Sequence, residues 1–187
     1  MFDAVIRFPR MNVAVATRDG CVSAISYLPS SAPLKAPVNP LAERAAEQLT
    51  GYLHNPDTHF DLPLLIEGTD FQKQLWNALC EIPRGKTLTY GELAKRLGAE
   101  ARAIGQACGD NRLPIVIPCH RVVAANGIGG FAHSTSGYLI EAKRWLLMHE
   151  CGADAFVHQE PTFRLDEIAG GGTVSYTHLT LPTICSV

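Results

Sequence analysis

Hydrophobic positions gather first in three short runs separated by polar residues, Ala4 to Phe8, Val13 to Thr17 and Val22 to Leu28, a pattern that predicts strands. Asp19-Gly20 supplies the turn of a hairpin between the last two. After a Pro/Ser-rich loop from Pro29 to Val38, Asn39 as N-cap and Pro40 at the first helical position predict a helix with Leu41, Ala45, Leu49 and Leu53 on one face. A linker around Leu62 to Gly68 follows. Helical spacing then returns: Thr69 and Gln72 form a capping-box pattern ahead of Phe71, Leu75, Trp76, Leu79 and Ile82, ending at Pro83-Arg84-Gly85. Thr89 and Glu92 repeat the pattern before Leu93 and Leu97, with Gly98 placed to stop that helix. Glu100 to Gly109 can form another helix after a three-residue turn, so a helix-turn-helix is expected.

Beyond it, the apolar run Ile115-Val116-Ile117 reads as a strand that stops at a proline and presents Cys119-His120, a thiol beside an imidazole on a rigid element. The chain has 187 residues and is 47% hydrophobic, enough for one or two small domains with a packed core. No run approaches the length of a spanning helix, and Met1-Phe2-Asp3 lacks a basic leader, so a cytoplasmic protein with no membrane partner is expected. Six widely spaced cysteines read as reduced thiols, with no metal site among them.

The formal charge of -2 conceals a segregation. Residues 1 to 70 carry five basic and eight acidic side chains, whereas residues 71 to 150 carry ten and six. The positive stretch contains the Cys-His motif and suits either a phosphate partner or an ordinary solvated surface. His54 and His59 read as exposed loop residues, and the N-terminal part as scaffold. In the helix after the turn, Ala101, Ala103 and Gly105 are small and Arg102 is the only long cation. Such a face fits close approach to a groove, or equally close packing in a core. Arg102 reads as a wedge entering the base stack, a phosphate contact or a surface charge.

The segments Phe71-Gln72, Tyr90-Gly91-Glu92-Leu93-Ala94, Arg102-Ala103-Ile104-Gly105, Asn111, Pro118-Cys119-His120-Arg121-Val122, Lys143, Trp145-Leu146-Leu147 and His149-Glu150 together resemble, over residues 69 to 152, the methylated-DNA-protein-cysteine methyltransferases, or 6-O-alkylguanine-DNA alkyltransferases. The resemblance implies an α+β fold: a small N-terminal α/β scaffold (1–66) of antiparallel sheet plus helix, then a mostly helical, winged-helix-like DNA-binding domain (67–155). A segment 156–187, with Gly170-Gly171-Gly172 and a Thr-rich end, falls outside the resemblance and is expected to be disordered or non-native. Implied catalytic residues are Cys119 as nucleophile, His120 and Glu150 as its relay, Tyr90 as proton donor to the base, and Asn111 as a tie between helix-turn-helix and active-site turn. DNA contacts are expected from Ala101, Arg102, Ala103, Gly105, Arg112 and Arg121, and a substrate pocket from Tyr90, Val122 and Phe131.

The implied function is one-time transfer of an alkyl group from 6-O-alkylguanine, with 4-O-alkylthymine as a second candidate lesion, in double-stranded DNA to Cys119. It proceeds through minor-groove binding and base flipping, as a monomer and without cofactor or metal. Alternative readings are a lesion-binding module without transfer and a Cys-His hydrolase. On the residues alone, Cys119, His120 and Glu150 could also be a buried thiol, a surface histidine and a helix-end carboxylate; Tyr90 could be structural and Asn111 a turn former. The loop Phe131 to Gly137 is longer than the family's glycine-rich loop, which suggests larger alkyl groups or a mobile lid.

Overall fold

The chain divides into two units, and the computed structural model describes residues 1–152. The segment expected at 156–187 lies outside the described residues. Unit one holds residues 1–69 and 112–116; unit two holds 70–111 and continues from Ile117. Among the described residues the architecture is mixed α/β, with one small antiparallel sheet and five α-helices. None of those helices is long and apolar enough to cross a membrane.

In unit one, β1 (Ala4–Arg7), β2 (Asn12–Arg18) and β3 (Cys21–Leu28) form an antiparallel sheet in the order β1-β2-β3. Asp19 and Gly20 take φ of 53° and 74°, the left-handed pair that matches a hairpin's twist. One face is covered by α1 (Pro40–His54), where the Asn39 side chain accepts the Ala42 N–H at 2.8 Å. Its buried stripe is Ala42, Ala45, Ala46, Leu49 and Tyr52. Leu41 and Leu53, expected on that stripe, flank it half-buried, because the alanines permit closer approach to the sheet. The segment expected as a linker is instead a strap: Leu62, Leu64 and Leu65 are buried, and Val22 N donates to Pro63 O at 2.8 Å while Leu65 N donates to Val22 O at 2.9 Å. Residues 112–116 also belong here, Arg112 O accepting from Ile25 N at 2.8 Å.

Unit two begins with α2 (Asp70–Cys80), whose Trp76 indole donates to Ala107 O at 3.0 Å. Burying Leu75, Trp76 and Leu79 stabilises by roughly 1.5–3 kcal/mol apiece. A two-residue strand, β4 (Leu88–Thr89), runs into α3 (Tyr90–Leu97), opened by the complete Thr89/Glu92 capping box and closed by Gly98 at φ 63°. Three residues later α4 (Ala101–Gly109) begins. The final described helix is α5 (Tyr138–Cys151).

The expectation of a strand over Ile115–Ile117 is corrected. Ile115 has a φ of 73°, which turns the chain there. For a β-branched residue this is a true outlier, costing of order 1–3 kcal/mol. An apolar run shows that a segment is buried, not that it is extended. Cys119, His120 and Arg121 then form a single 3-10 turn, followed by β5 (Val122–Val123).

Candidate active site

Pairing of β4 with β5 builds the site. Leu88 lies beside Val122 and Thr89 beside Val123 in a short parallel bridge, so the turn carrying Cys119 is fixed next to the start of the helix carrying Tyr90. Helix α5 grips the same turn from behind. Lys143 and Glu150 are seven residues apart, two helical turns, and therefore share a face.

Glu150 is 1% exposed and holds two cationic or polar partners at once. Its Oε1 lies 2.8 Å from His120 Nε2 and accepts from Arg121 Nη2 at 2.9 Å, while Oε2 accepts from Arg121 Nε at 2.9 Å. Arg121 Nη1 also donates to Ile82 O at 2.5 Å. Burial alone would raise the Glu150 carboxyl, but His120 and Arg121 together hold it below the usual carboxylate range. A carboxylate only accepts, so His120 must carry its proton on Nε2, leaving the buried, unpartnered Nδ1 as a lone pair. Burial outweighs Glu150 and keeps the imidazole below its ordinary value, hence neutral and able to receive a proton.

Cys119 is 7% exposed, and that surface lines a cavity of about 500 Å³. Burial pushes its thiol up, while a hydrogen bond from the Asn111 side chain and the Lys143 charge pull the other way. The resting group is therefore a thiol, one that would need a base to act as a nucleophile. Asn111 Nδ2 also donates to Ile117 O at 2.9 Å, fixing the residues just before Cys119. Tyr90, Ala101, Arg102, Gly105, Cys108 and Phe131 line the same cavity. Tyr90 O–H donates to Gly130 O at 3.0 Å, and its ring packs against Gly129, where an added Cβ would lie 3.0 Å from the ring. Burial pushes the Tyr90 phenol up, so it stays protonated.

Cys119, Tyr90, Phe131, Ala101, Arg102 and Gly105 thus meet at one cavity, with His120, Glu150 and Asn111 adjoining through the active-site turn. Val122, expected in the pocket, is fully buried, with its carbonyl held by Lys143. Ala103 is exposed on α4. Arg121, expected at DNA, is placed otherwise: its side chain is 12% exposed and its guanidinium is engaged by Glu150 and Ile82, leaving little of it for phosphate. Arg112, also expected at DNA, groups with unit one and pairs with Glu67 at 3.6 Å.

Lys143, one of the residues that carry the family resemblance, had no role assigned from the sequence. Fully buried, its ammonium donates to the carbonyls of Val122 (2.7 Å), Ile128 (2.7 Å) and Gly130 (2.9 Å), using all three hydrogens on the loop that walls the cavity. Burial brings it down to about 8, with Cys119 and Cys108 opposing. Its signal was a lysine on the buried stripe of Ile140, Ala142, Leu146 and Leu147. Among the described residues, no cluster of three His, Cys, Asp or Glu side chains could hold a metal ion.

Residues 70–152 match the family described as 6-O-methylguanine DNA methyltransferase, DNA binding domain. The methylated-DNA--protein-cysteine methyltransferase of Methanosarcina barkeri is 36% identical over 158 residues, covering 80% of this chain and 97% of the relative. That of Methanosarcina acetivorans is 47% identical over 109 residues, 57% of this chain and 67% of the relative. Among solved structures, Mycobacterium tuberculosis O6-methylguanine methyltransferase superposes with a TM-score of 0.64 at 33% identity, covering 81% of this chain and 93% of that one. The OGT of the same organism in complex with DNA gives 0.63 at 35%, covering 79% and 91%.

A buried cysteine facing a cavity, adjoined by a histidine paired with a carboxylate, is an arrangement that can activate a thiol. The chain belongs to the methylated-DNA-protein-cysteine methyltransferase family.

Proposed function

We propose that this chain repairs double-stranded DNA by moving the alkyl group of 6-O-alkylguanine onto Cys119, once per molecule. The observation that carries the reading is the continuous set formed by Cys119 at the cavity, neutral His120 beside it and the Glu150 carboxylate behind. In the proposed step the thiol proton passes to His120 Nδ1, through a water, and the imidazolium is stabilised by Glu150. The sulfur then attacks the alkyl carbon in line; the C–S bond forms, the C–O bond breaks, and its electron pair goes to the guanine oxygen. Tyr90 donates a proton to the ring, so the base leaves neutral, and the proton taken up by His120 is returned to the phenolate through solvent. Every atom balances between thiol and base, which is why the reaction as written calls on no cofactor. The thioether product does not exchange with thiols as a disulfide would, so the sulfur is not regenerated. The same displacement extends to 4-O-alkylthymine.

For the flipped base to arrive, α3 and α4 act as a helix-turn-helix in the minor groove. Ala101, Ala103 and Gly105 give α4 a face low enough for close approach, and exposed Arg102 at the cavity supports a wedge that fills the vacated stack. The protein is proposed to act as a monomer in the cytoplasm. Intact mass measurement after incubation with a duplex bearing 6-O-methylguanine tests the transfer. Gain of one methyl group at Cys119, at most once per chain, and none in Cys119→Ala despite retained DNA binding, is expected. Binding without gain would leave a lesion-binding module, and repeated turnover would refute single use.

A further inference from the structure

The cavity has two walls, α4 on one side and the loop from Gly130 to Thr135 on the other. The loop holds an uncommon backbone: Ala132 and His133, neither a glycine, take φ of 48° and 61°. Consecutive left-handed residues persist only where their surroundings fix them. Part of the fixing is local, since Phe131 N donates to Ser134 O and Ser134 N to Phe131 O, both at 2.8 Å. The rest comes from the opposite wall. His133 Nε2 lies 2.9 Å from Asp110 Oδ1, at the C-terminal end of α4.

The receiving side is shaped for this ring. An added Cβ at Gly109 would fall 2.4 to 2.7 Å from three atoms of the His133 imidazole, so the ring rests where any side chain would stand. Asp110 is itself braced, its Oδ2 accepting from Gln72 Nε2 at 3.0 Å and its Oδ1 from Gln106 Nε2 at 3.4 Å. A firm seat thus meets a strained loop. The joining pair is half-exposed, with side chains 48% and 34% accessible, so the tie is weak enough to open.

We propose that His133 and Asp110 are specificity-determining residues: their pairing, seated on Gly109, sets how large a 6-O substituent the cavity accepts. The inference rests on the alkyl-transfer reading above. With the pair made, the loop is drawn toward α4 and favours small groups; with it broken, the loop relaxes away and bulky groups gain access.

Single-turnover transfer rates from duplexes carrying 6-O-methylguanine or 6-O-benzylguanine test it. The benzyl-to-methyl rate ratio is expected to rise about threefold or more in His133→Ala, Asp110→Asn and Gly109→Ala, the scale on which a half-exposed pair acts. His133→Gln, which keeps a donor for Asp110, should fall between these and the wild type. A general loss of structure would lower both rates and not move the ratio in this direction. An unchanged or lowered ratio in variants that still transfer methyl overturns the latch alone. Absence of any alkyl gain in the wild type overturns the transfer reading, and the latch with it.

Discussion

Exchanging Glu150 for glutamine removes one charge and almost no volume, which isolates what the carboxylate does. Three donors converge on it, His120 Nε2 at 2.8 Å and Arg121 Nη2 and Nε at 2.9 Å each. An amide offers one acceptor oxygen and turns hydrogens toward whatever the other side presents, so one of these contacts becomes donor against donor. Arg121 is then left charged and 12% exposed, with the Ile82 carbonyl as a remaining acceptor. Removing one member of a buried pair costs about 3–5 kcal/mol, and the surviving Ile82 contact places Glu150→Gln near the lower end, about 3 kcal/mol. In urea this corresponds to a midpoint lowered by about 1–2 M. Transfer should slow by about 10²- to 10⁴-fold, because the imidazolium formed when His120 takes the thiol proton loses its negative partner. The pH dependence has a definite sign. The folded carboxyl lies below its ordinary 4.5, so its contribution is complete above 4.5 and is lost as the pH falls further. The margin of wild type over variant is therefore full at pH 7 and shrinks below about pH 4.5. A variant within about 0.5 kcal/mol of wild type at pH 7, or a margin that stays constant into strong acid, would refute the argument.

Two further perturbations address neighbouring parts of the molecule. Lys143→Met strips three carbonyls of their common donor and should destabilise by about 2–4 kcal/mol in thermal or urea unfolding; a loss below about 0.5 kcal/mol would mean that those bonds contribute little. Arg102→Ala should reduce extrusion of the target base, followed with a fluorescent analogue, more than it reduces affinity for undamaged duplex, and equal losses would contradict a wedge role.

Local rules read much of the scaffold correctly because the relevant partners are close in sequence. The Asp19-Gly20 turn, the Asn39 cap, the Thr89/Glu92 box and the Gly98 stop are each decided within about four residues. The run Ile115–Ile117 failed for want of a local signal: buried turn and buried strand have the same composition, and only the φ of Ile115 separates them. Arg121 looked like a DNA contact because a cation beside a reactive motif has two uses. Its actual partner is 29 residues away, and nothing in the spacing says that Glu150 needs both His120 and Arg121. The contacts of Lys143 and of the His133–Asp110 pair were missed for the same reason, one joining α5 to a loop and the other joining a loop to α4.

The protonated state of Cys119 has a consequence for how the molecule survives until it is needed. Dissolved peroxides and small electrophiles react with thiolate, and a sulfur kept neutral by its apolar setting presents little of it. Selectivity against such bystanders thus arises before any ligand is recognised, from the same desolvation that makes a proton acceptor necessary. On the proposed transfer reading, a nucleophile that can be consumed only once would be protected by being, at rest, a poor one.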